Sequence, residues 1–180
     1  RHTITPRWQR LAYRALGMHR SLLAGSTLLA VAQRLRLVPK RAGLSRLPVR
    51  RGALPAATAA PDAEPDVWLY TGCVMDAWLR PTHRATARVI AATGATMRPT
   101  PASGGCCGAL HLHAGLEPDA KVLAERTMAA IPGSAPILVN SAGCGAAMKE
   151  YGHLLGTDDA RTFAARVLDV HEWLASNAER

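Results

Sequence analysis

From residue 6 to residue 37 the apolar positions recur at helical spacing. Trp8, Leu11, Ala12, Ala15 and Leu16 share one face of a stretch that Thr5 can cap, Pro6 can open and Gly17 can close. Leu22, Leu23, Leu29, Val31, Leu35 and Leu37 carry the same period through 19–37, and Pro39 ends it. Residues 39–66 lose the pattern. Pro, Ala, Gly and Arg dominate there, and the stretch reads as a linker, most clearly from Leu54 to Pro65. At Val67 the pattern changes again. Val67-Trp68-Leu69-Tyr70 is a short apolar run, expected as a buried strand that ends at Thr71-Gly72-Cys73.

The remainder alternates. A helix is expected over 81–93, with Pro81 at its start and Gly94 beyond its end. Ala95-Thr96-Met97 reads as a second strand, 99–105 as a loop, and 106–114 as a Gly- and Ala-rich stretch that opens a helix. A helix over 118–130 leads to the strand 137–140, a tight turn over 141–145, helix to Leu155, and helical runs over 158–168 and 170–177. Strand–helix alternation predicts an α/β fold, a small parallel sheet flanked by helices, preceded by a helical basic segment. The division expected is 1–38 helical connector, 39–66 linker and 67–180 folded domain.

Length and composition narrow this little. A chain of 180 residues fits one domain with extra segments, and 48% hydrophobic residues exclude wholesale disorder. Charge changes the picture more. Residues 1–66 hold twelve Lys and Arg against three acids, whereas residues 67–180 hold ten of each. The net charge of +9 therefore sits wholly in the N-terminal third. No aromatic interleaving accompanies it, so no nucleic acid is expected; a solvated helix face or a surface docking on an acidic partner subunit fits better. There is no secretory signal pattern, and the apolar run Leu22–Ala32 is too short to span a bilayer. The first residue is Arg1, which reads as a piece of a longer protein.

The candidate chemistry lies in the neutral part. Cys73 follows the first expected strand, Cys106-Cys107 the second and Cys144 the strand 137–140, so all four could meet at the carboxyl edge of one sheet. Each has a flanking glycine: Gly72, Gly105, Gly108, Gly143 or Gly145. Glycine lets main chain approach a bulky centre and leaves N–H groups aimed at sulfur, which tunes an iron–sulfur potential. Four thiolates suit a tetrahedral zinc or an iron–sulfur cluster. The plainer readings are small buried hydrophobes, or a strained vicinal disulfide between Cys106 and Cys107. No Ser-His-Asp elbow, phosphate-binding glycine loop or His-Glu-x-x-His helix is present.

Gly72-Cys73, then Gly105-Cys106-Cys107-Gly108-Ala109-Leu110-His111, then Ser141-Ala142-Gly143-Cys144-Gly145-Ala146, then Lys149-Glu150-Tyr151-Gly152, together resemble the cysteine-rich CCG domain of heterodisulfide reductase-like iron–sulfur proteins. The resemblance spans roughly 67–175 and is nearest to the first such domain of glycolate oxidase iron–sulfur subunits. It implies Cys73, Cys106, Cys107 and Cys144 as ligands of a [4Fe–4S] cluster, with zinc as the alternative. It also implies an FAD-containing 2-hydroxy-acid dehydrogenase subunit as partner, electron transfer without substrate chemistry in this piece, and a cytoplasmic place with peripheral membrane association. Rivals are a structural zinc domain and a thiol–disulfide module using Cys106-Cys107. Two features depart from the pattern. Ser141 stands where the family has the earlier cysteine of a Cys-x-x-Cys pair, and the ferredoxin-like domain and second CCG domain are not in this sequence.

Other residues carry weaker expectations. His111 is a neighbour or replacement ligand, and His113, two positions on, faces elsewhere. Gly72, Gly108, Gly143, Gly145 and Lys149 would line the site, Lys149 as a positive charge beside an anionic cluster. His83 is expected exposed or capping, Asp76 as a cap after Cys73, and Trp68 and Trp173 as packing residues.

Overall fold

A computed structural model describes residues 6–39 and 43–177, apart from the side chains of Arg7 and Leu16. Thr5, Lys40 and Arg41, and the last three residues of the expected domain, lie outside them. Two helices come first, α1 (Arg7–Gly17) and α2 (His19–Arg34). Residues 43–66 contain neither helix nor strand. Then follow β1 (Val67–Tyr70), α3 (Cys73–Trp78), α4 (Arg80–Ala92), β2 (Met97–Pro99) and a 3₁₀ turn (Ala102–Gly104). α5 (Ala109–His113), α6 (Glu117–Ala130), β3 (Ile137–Val139), α7 (Ala142–Lys149), α8 (Tyr151–Leu155), α9 (Asp158–Ala165), β4 (Val167–Asp169) and α10 (Val170–Ser176) complete the chain.

The four strands form one parallel sheet in the order β2-β1-β3-β4. β1 is buried along its whole length because helices cover both faces, which is why its sequence is uniformly apolar. Successive residues point to opposite faces. Trp68, Tyr70, Ile137, Val139 and Val167 face α6 to α9, packing on Ala124, Met148, Tyr151, Ala160 and Phe163. Val67, Leu69 and Leu138 face the other way, onto Ile90, Val170 and Trp173. The chain leaves β1 toward β2 on one side and β3 toward β4 on the other. The β1–β3 boundary is thus the switch point where open α/β sheets hold ligands.

Several boundaries differ from the pattern reading. The second strand runs over Met97–Pro99, not 95–97, since Thr96 is taken up capping: its N–H and hydroxyl both donate to Asp66, 2.7 Å each. Pro99 lacks an N–H and is tolerated because β2 is an edge strand. β4 overlaps the end of the stretch expected as helix 158–168. Three residues are too few to display a period of two, and pairing with Ile137–Val139 decides their state. The helix expected to Leu155 breaks at Glu150. In the N-terminal hairpin both helices form, but Trp8, Leu11, Val31, Leu35 and Leu37 are exposed; Leu22, Ser26 and Ala30 are the buried face.

Residues 43–66 are stitched across the domain. Thr58 donates its N–H to Met97 O and accepts from Met97 N, covering the open side of β2. Arg98 donates to the carbonyls of Ala60, Pro61 and Ala63. The Glu64 carboxylate accepts from the N–H groups of Ser134 and Ala135, which hold it below the usual carboxylate range.

A polar brace ties the strand ends together. His83, expected at the surface, is fully buried on α4. It donates from Nε2 to Thr71 O at 2.8 Å, while its Nδ1 accepts from Asn140 Nδ2 at 3.1 Å. Asn140 also donates to Thr86, and Thr71 N donates to Thr100 Oγ1 at 2.9 Å. Thr100, Thr71 and Asn140 directly follow β2, β1 and β3. One buried imidazole thus fixes three loop starts. The outward pattern of α4 hid it, because a histidine beside Arg80 and Arg84 reads as surface.

Two outcomes follow. Burial pushes His83 below the usual imidazole range, so the fold favours its neutral form. Its contribution is complete above the unfolded value of about 6.5 and is lost as pH falls through the folded value. Urea midpoints from pH 7.5 to 5 should therefore fall less steeply in His83→Gln than in the parent chain; parallel slopes would remove the brace's role. Glu64→Ala should free the Ala-rich stretch 54–63 for elastase cleavage while the circular dichroism of the core is retained.

Candidate metal centre

The three loops that the brace anchors carry the four cysteines. Cys73 is the first residue of α3, Cys106 and Cys107 lie between the 3₁₀ turn and α5, and Cys144 sits in the first turn of α7. Cys73, Cys106 and Cys107 are buried and Cys144 is half-buried, all as free thiols. The expectation that they share one edge of the sheet holds.

They stand as two pairs, Cys73 with Cys106 and Cys107 with Cys144. The contact within each pair favours ionisation at one sulfur and opposes it at the other. Cys106 is drawn down to about 5, first by Cys73 and then, against burial, by His111 and the Gly108 N–H. Cys144 is drawn down by Cys107 and, against burial, by the Ser141 hydroxyl. Cys73 and Cys107 are pushed up by their partners and by burial. Ionisation is thus favoured at Cys106 and Cys144 and opposed at Cys73 and Cys107.

The surroundings supply donors for that charge. N–H groups of Val74, Gly108 and Ala109 bond the sulfurs of Cys73, Cys106 and Cys107. The Tyr70 hydroxyl is buried without a hydrogen-bond partner, close enough to Cys107, Cys144 and Cys106 for their charges to raise its pKa beyond what burial does. His111 is buried, its Nδ1 also without a partner, and the Cys106 sulfur beside it raises its pKa against burial. Thr127 and Tyr151 hydroxyls donate to the carbonyls of Cys106 and Cys107 at 3.1 and 2.9 Å, pinning the Cys-Cys peptide.

Two glycines are required by geometry. Gly72 has φ 61°, and a Cβ there would lie 3.4 Å from the Tyr70 ring and 3.8 Å from Cys144 Sγ. Gly108 has φ 80°, and its Cβ would meet Ala120 O at 3.0 Å. Gly143 has open space at that position, and Gly145 only ordinary contact with Val139. Lys149 is exposed and spends its charge on Glu172, 2.8 Å away, rather than on the cysteines. His113 is exposed, on the side of α5 away from His111.

The N-terminal hairpin is part of the pocket wall. Leu22 packs in one cluster with Cys73, Ala77, Cys106 and Leu123. His111 tilts against Tyr13, with ring centroids 5.9 Å apart. Asp76, read as a simple cap, is buried. Burial would raise its pKa, but His19 Nε2 at 2.8 Å and Arg80 Nε at 2.6 Å hold it below the carboxylate range. Pattern reading missed Tyr70, His19, Thr127 and Tyr151. Tyr70 sat inside an apolar strand, His19 in a basic stretch 54 positions before Cys73.

The donor set fits a multinuclear anionic group. Among the described residues, no three His, Cys, Asp or Glu side chains close on one point as a single ion requires. Two thiol pairs that receive main-chain N–H groups, beside the unpartnered Tyr70 hydroxyl, instead suit a cluster whose irons each take their own thiolate.

Comparison with known proteins agrees. Residues 67–149 match the family model described as a cysteine-rich domain, CCG. Over 94 residues, 51% of this chain, the sequence is 37% identical to the probable glycolate oxidase iron-sulfur subunit of Bacillus subtilis (strain 168). Over 140 residues, 69% of the chain, it is 32% identical to the glycolate oxidase iron-sulfur subunit of Escherichia coli (strain K12). The matched stretches span 21% and 34% of those relatives' lengths. No solved structure matches the chain. Residues 67–149 are thus a cysteine-rich CCG domain, in a chain homologous to glycolate oxidase iron–sulfur subunits.

Proposed function

We propose that Cys73, Cys106, Cys107 and Cys144 hold an iron–sulfur cluster, [4Fe–4S] by ligand count, in an electron-transfer subunit of a flavin-dependent 2-hydroxy-acid dehydrogenase. Glycolate is the substrate class favoured by the relatives' names, and the electrons pass from an FAD-containing subunit to a later acceptor. The observation that carries this reading is the pair of thiol couples at the β1–β3 switch point, surrounded by donors without other partners.

When bound, such a cluster accepts and returns electrons. The chain's own residues do the rest. The four thiolates hold the group in place. The N–H groups of Val74, Gly108 and Ala109 and the Tyr70 hydroxyl stabilise added negative charge and so raise the potential, whereas burial lowers it. Ser141 contributes a hydroxyl beside Cys144, which leaves four thiolates and not five. No residue here is assigned to breaking substrate bonds. The same reading puts the chain on the cytoplasmic side in peripheral contact with the membrane. Among the described residues no helix is long and apolar enough to cross a bilayer.

Zinc is the second reading, because four thiolates are an ordinary zinc ligand set, although among the described residues no three such side chains close on one point. Metal analysis separates the two. The chain, purified without oxygen, should contain iron and acid-labile sulfide at about four each and show broad visible absorption bleached by dithionite. One zinc without colour would replace the electron-transfer reading by a structural one. Cys107→Ser should lose the visible absorption while keeping its far-ultraviolet circular dichroism. Unchanged iron content in that variant would remove Cys107 from the ligand set. Tyr70→Phe should keep the iron but lower the midpoint potential, since one donor to the sulfurs is lost.

A further inference from the structure

Three separate stretches of chain bring six arginines to one cleft. Arg34 comes from α2, Arg46, Arg50 and Arg51 from the segment after it, and Arg80 and Arg84 from the start of α4. The cleft measures about 510 Å³ and is also lined by Leu47, Pro48, Gly52, Trp78 and Pro81. That size lies within the range of small-molecule sites.

The arginines divide into fixed and free. Arg51 is locked, donating to Ala77 O at 2.9 Å, to Leu23 O and to Thr27 Oγ1. Arg80 is locked by Asp76 and by Gly52 O. Arg84 donates once, to Ala53 O, and Arg34 makes only 3.4 Å contacts to Ala30 O and Leu47 O. Arg46 and Arg50 are exposed and, among the described residues, have neither hydrogen-bond nor ion-pair partner. Among the described residues, Asp76 is the one carboxylate paired with any of the six, and it is buried and shared with His19. No Asp or Glu occurs in residues 1–61 to supply another.

Like charges gathered in a concave site repel one another unless a ligand offsets them. Guanidinium groups present a planar fork of donors that matches phosphate oxygens bidentately. Arg51 and Arg80 fix positive charge beside the cleft, and the freer arms of Arg34, Arg46, Arg50 and Arg84 have donors left for a ligand. We propose that this cleft is a binding site for a phosphate-bearing anion, distinct from the cysteine centre. The phosphate could come from a small polyphosphate or from the headgroup of an anionic lipid, and the test separates them.

Isothermal titration of the 180-residue chain with sodium pyrophosphate, at low ionic strength and with reductant, should give saturable binding that weakens as salt is added. Arg46→Glu/Arg50→Glu should reduce the affinity by about ten-fold or more, because two charge-assisted contacts become repulsions. Neither side chain has a partner to lose, and circular dichroism verifies that the variant folds. Lys121→Glu, an exposed charge reversal on α6, should leave the affinity within about two-fold. No saturable heat, or an equal loss in Lys121→Glu, would overturn the proposal by showing no site or only net charge. Flotation with phosphatidylglycerol vesicles, and phosphatidylcholine vesicles as control, identifies the source. Binding displaced by pyrophosphate and lost in the double variant assigns the lipid headgroup; pyrophosphate binding without vesicle binding assigns a soluble phosphate. Vesicle binding that persists in the double variant, without pyrophosphate heat, also overturns the proposal. Iron content is expected to be equal in all variants, so the outcome is read independently of the cysteine centre.

Discussion

Burying ionisable sulfur at the carboxyl ends of three parallel strands is the constraint the rest of the structure answers. Thiolate charge in a low-dielectric interior is costly unless donors face it and its carriers cannot drift apart. Donors come from the first turns of α3 and α5 and from Tyr70. Position comes from the His83 brace, which fastens the residues directly after β1, β2 and β3 to one another. The apolar packing on both faces of the sheet makes the strands rigid enough for that brace to matter.

The fold class was legible because β1 and β3 are continuous apolar runs bounded by turn residues, a pattern that a parallel sheet covered on both faces imposes. The cysteine edge was legible for the same reason: each sulfur follows a recognisable strand. β4 was not, since Val167-Leu168-Asp169 has no strand signal of its own and depends on β3 for its state. His83 and Asp76 were misplaced because each is a polar residue satisfied by partners far along the chain. His83 reaches Asn140, and Asp76 reaches His19. Periodicity reports the face a residue occupies, not the bond that makes burial affordable.

The site was legible as a set of four residues but not as two pairs. Spacing grouped Cys106 with Cys107, whereas folding couples Cys106 to Cys73 and Cys107 to Cys144. The role of the N-terminal hairpin was also hidden. A basic amphipathic stretch before a linker reads as a connector, yet Leu22 packs beside Cys73 and Cys106. The stretch expected as a linker instead lies across the domain through Thr58 and Glu64.

The pairing has a consequence for biosynthesis. Cys73 and Cys106 lie within the first βα units, so their couple can form once β1, β2 and the loop after β2 exist. The couple of Cys107 and Cys144 waits for α6 and β3, more than 30 residues later. A nascent chain therefore exposes one half of the pocket before the other half has been made. During that interval Cys107 lacks its partner and is open to oxidation or to capture by a stray thiophilic metal. The window closes only when α7, which carries Cys144, follows β3 and completes the second couple.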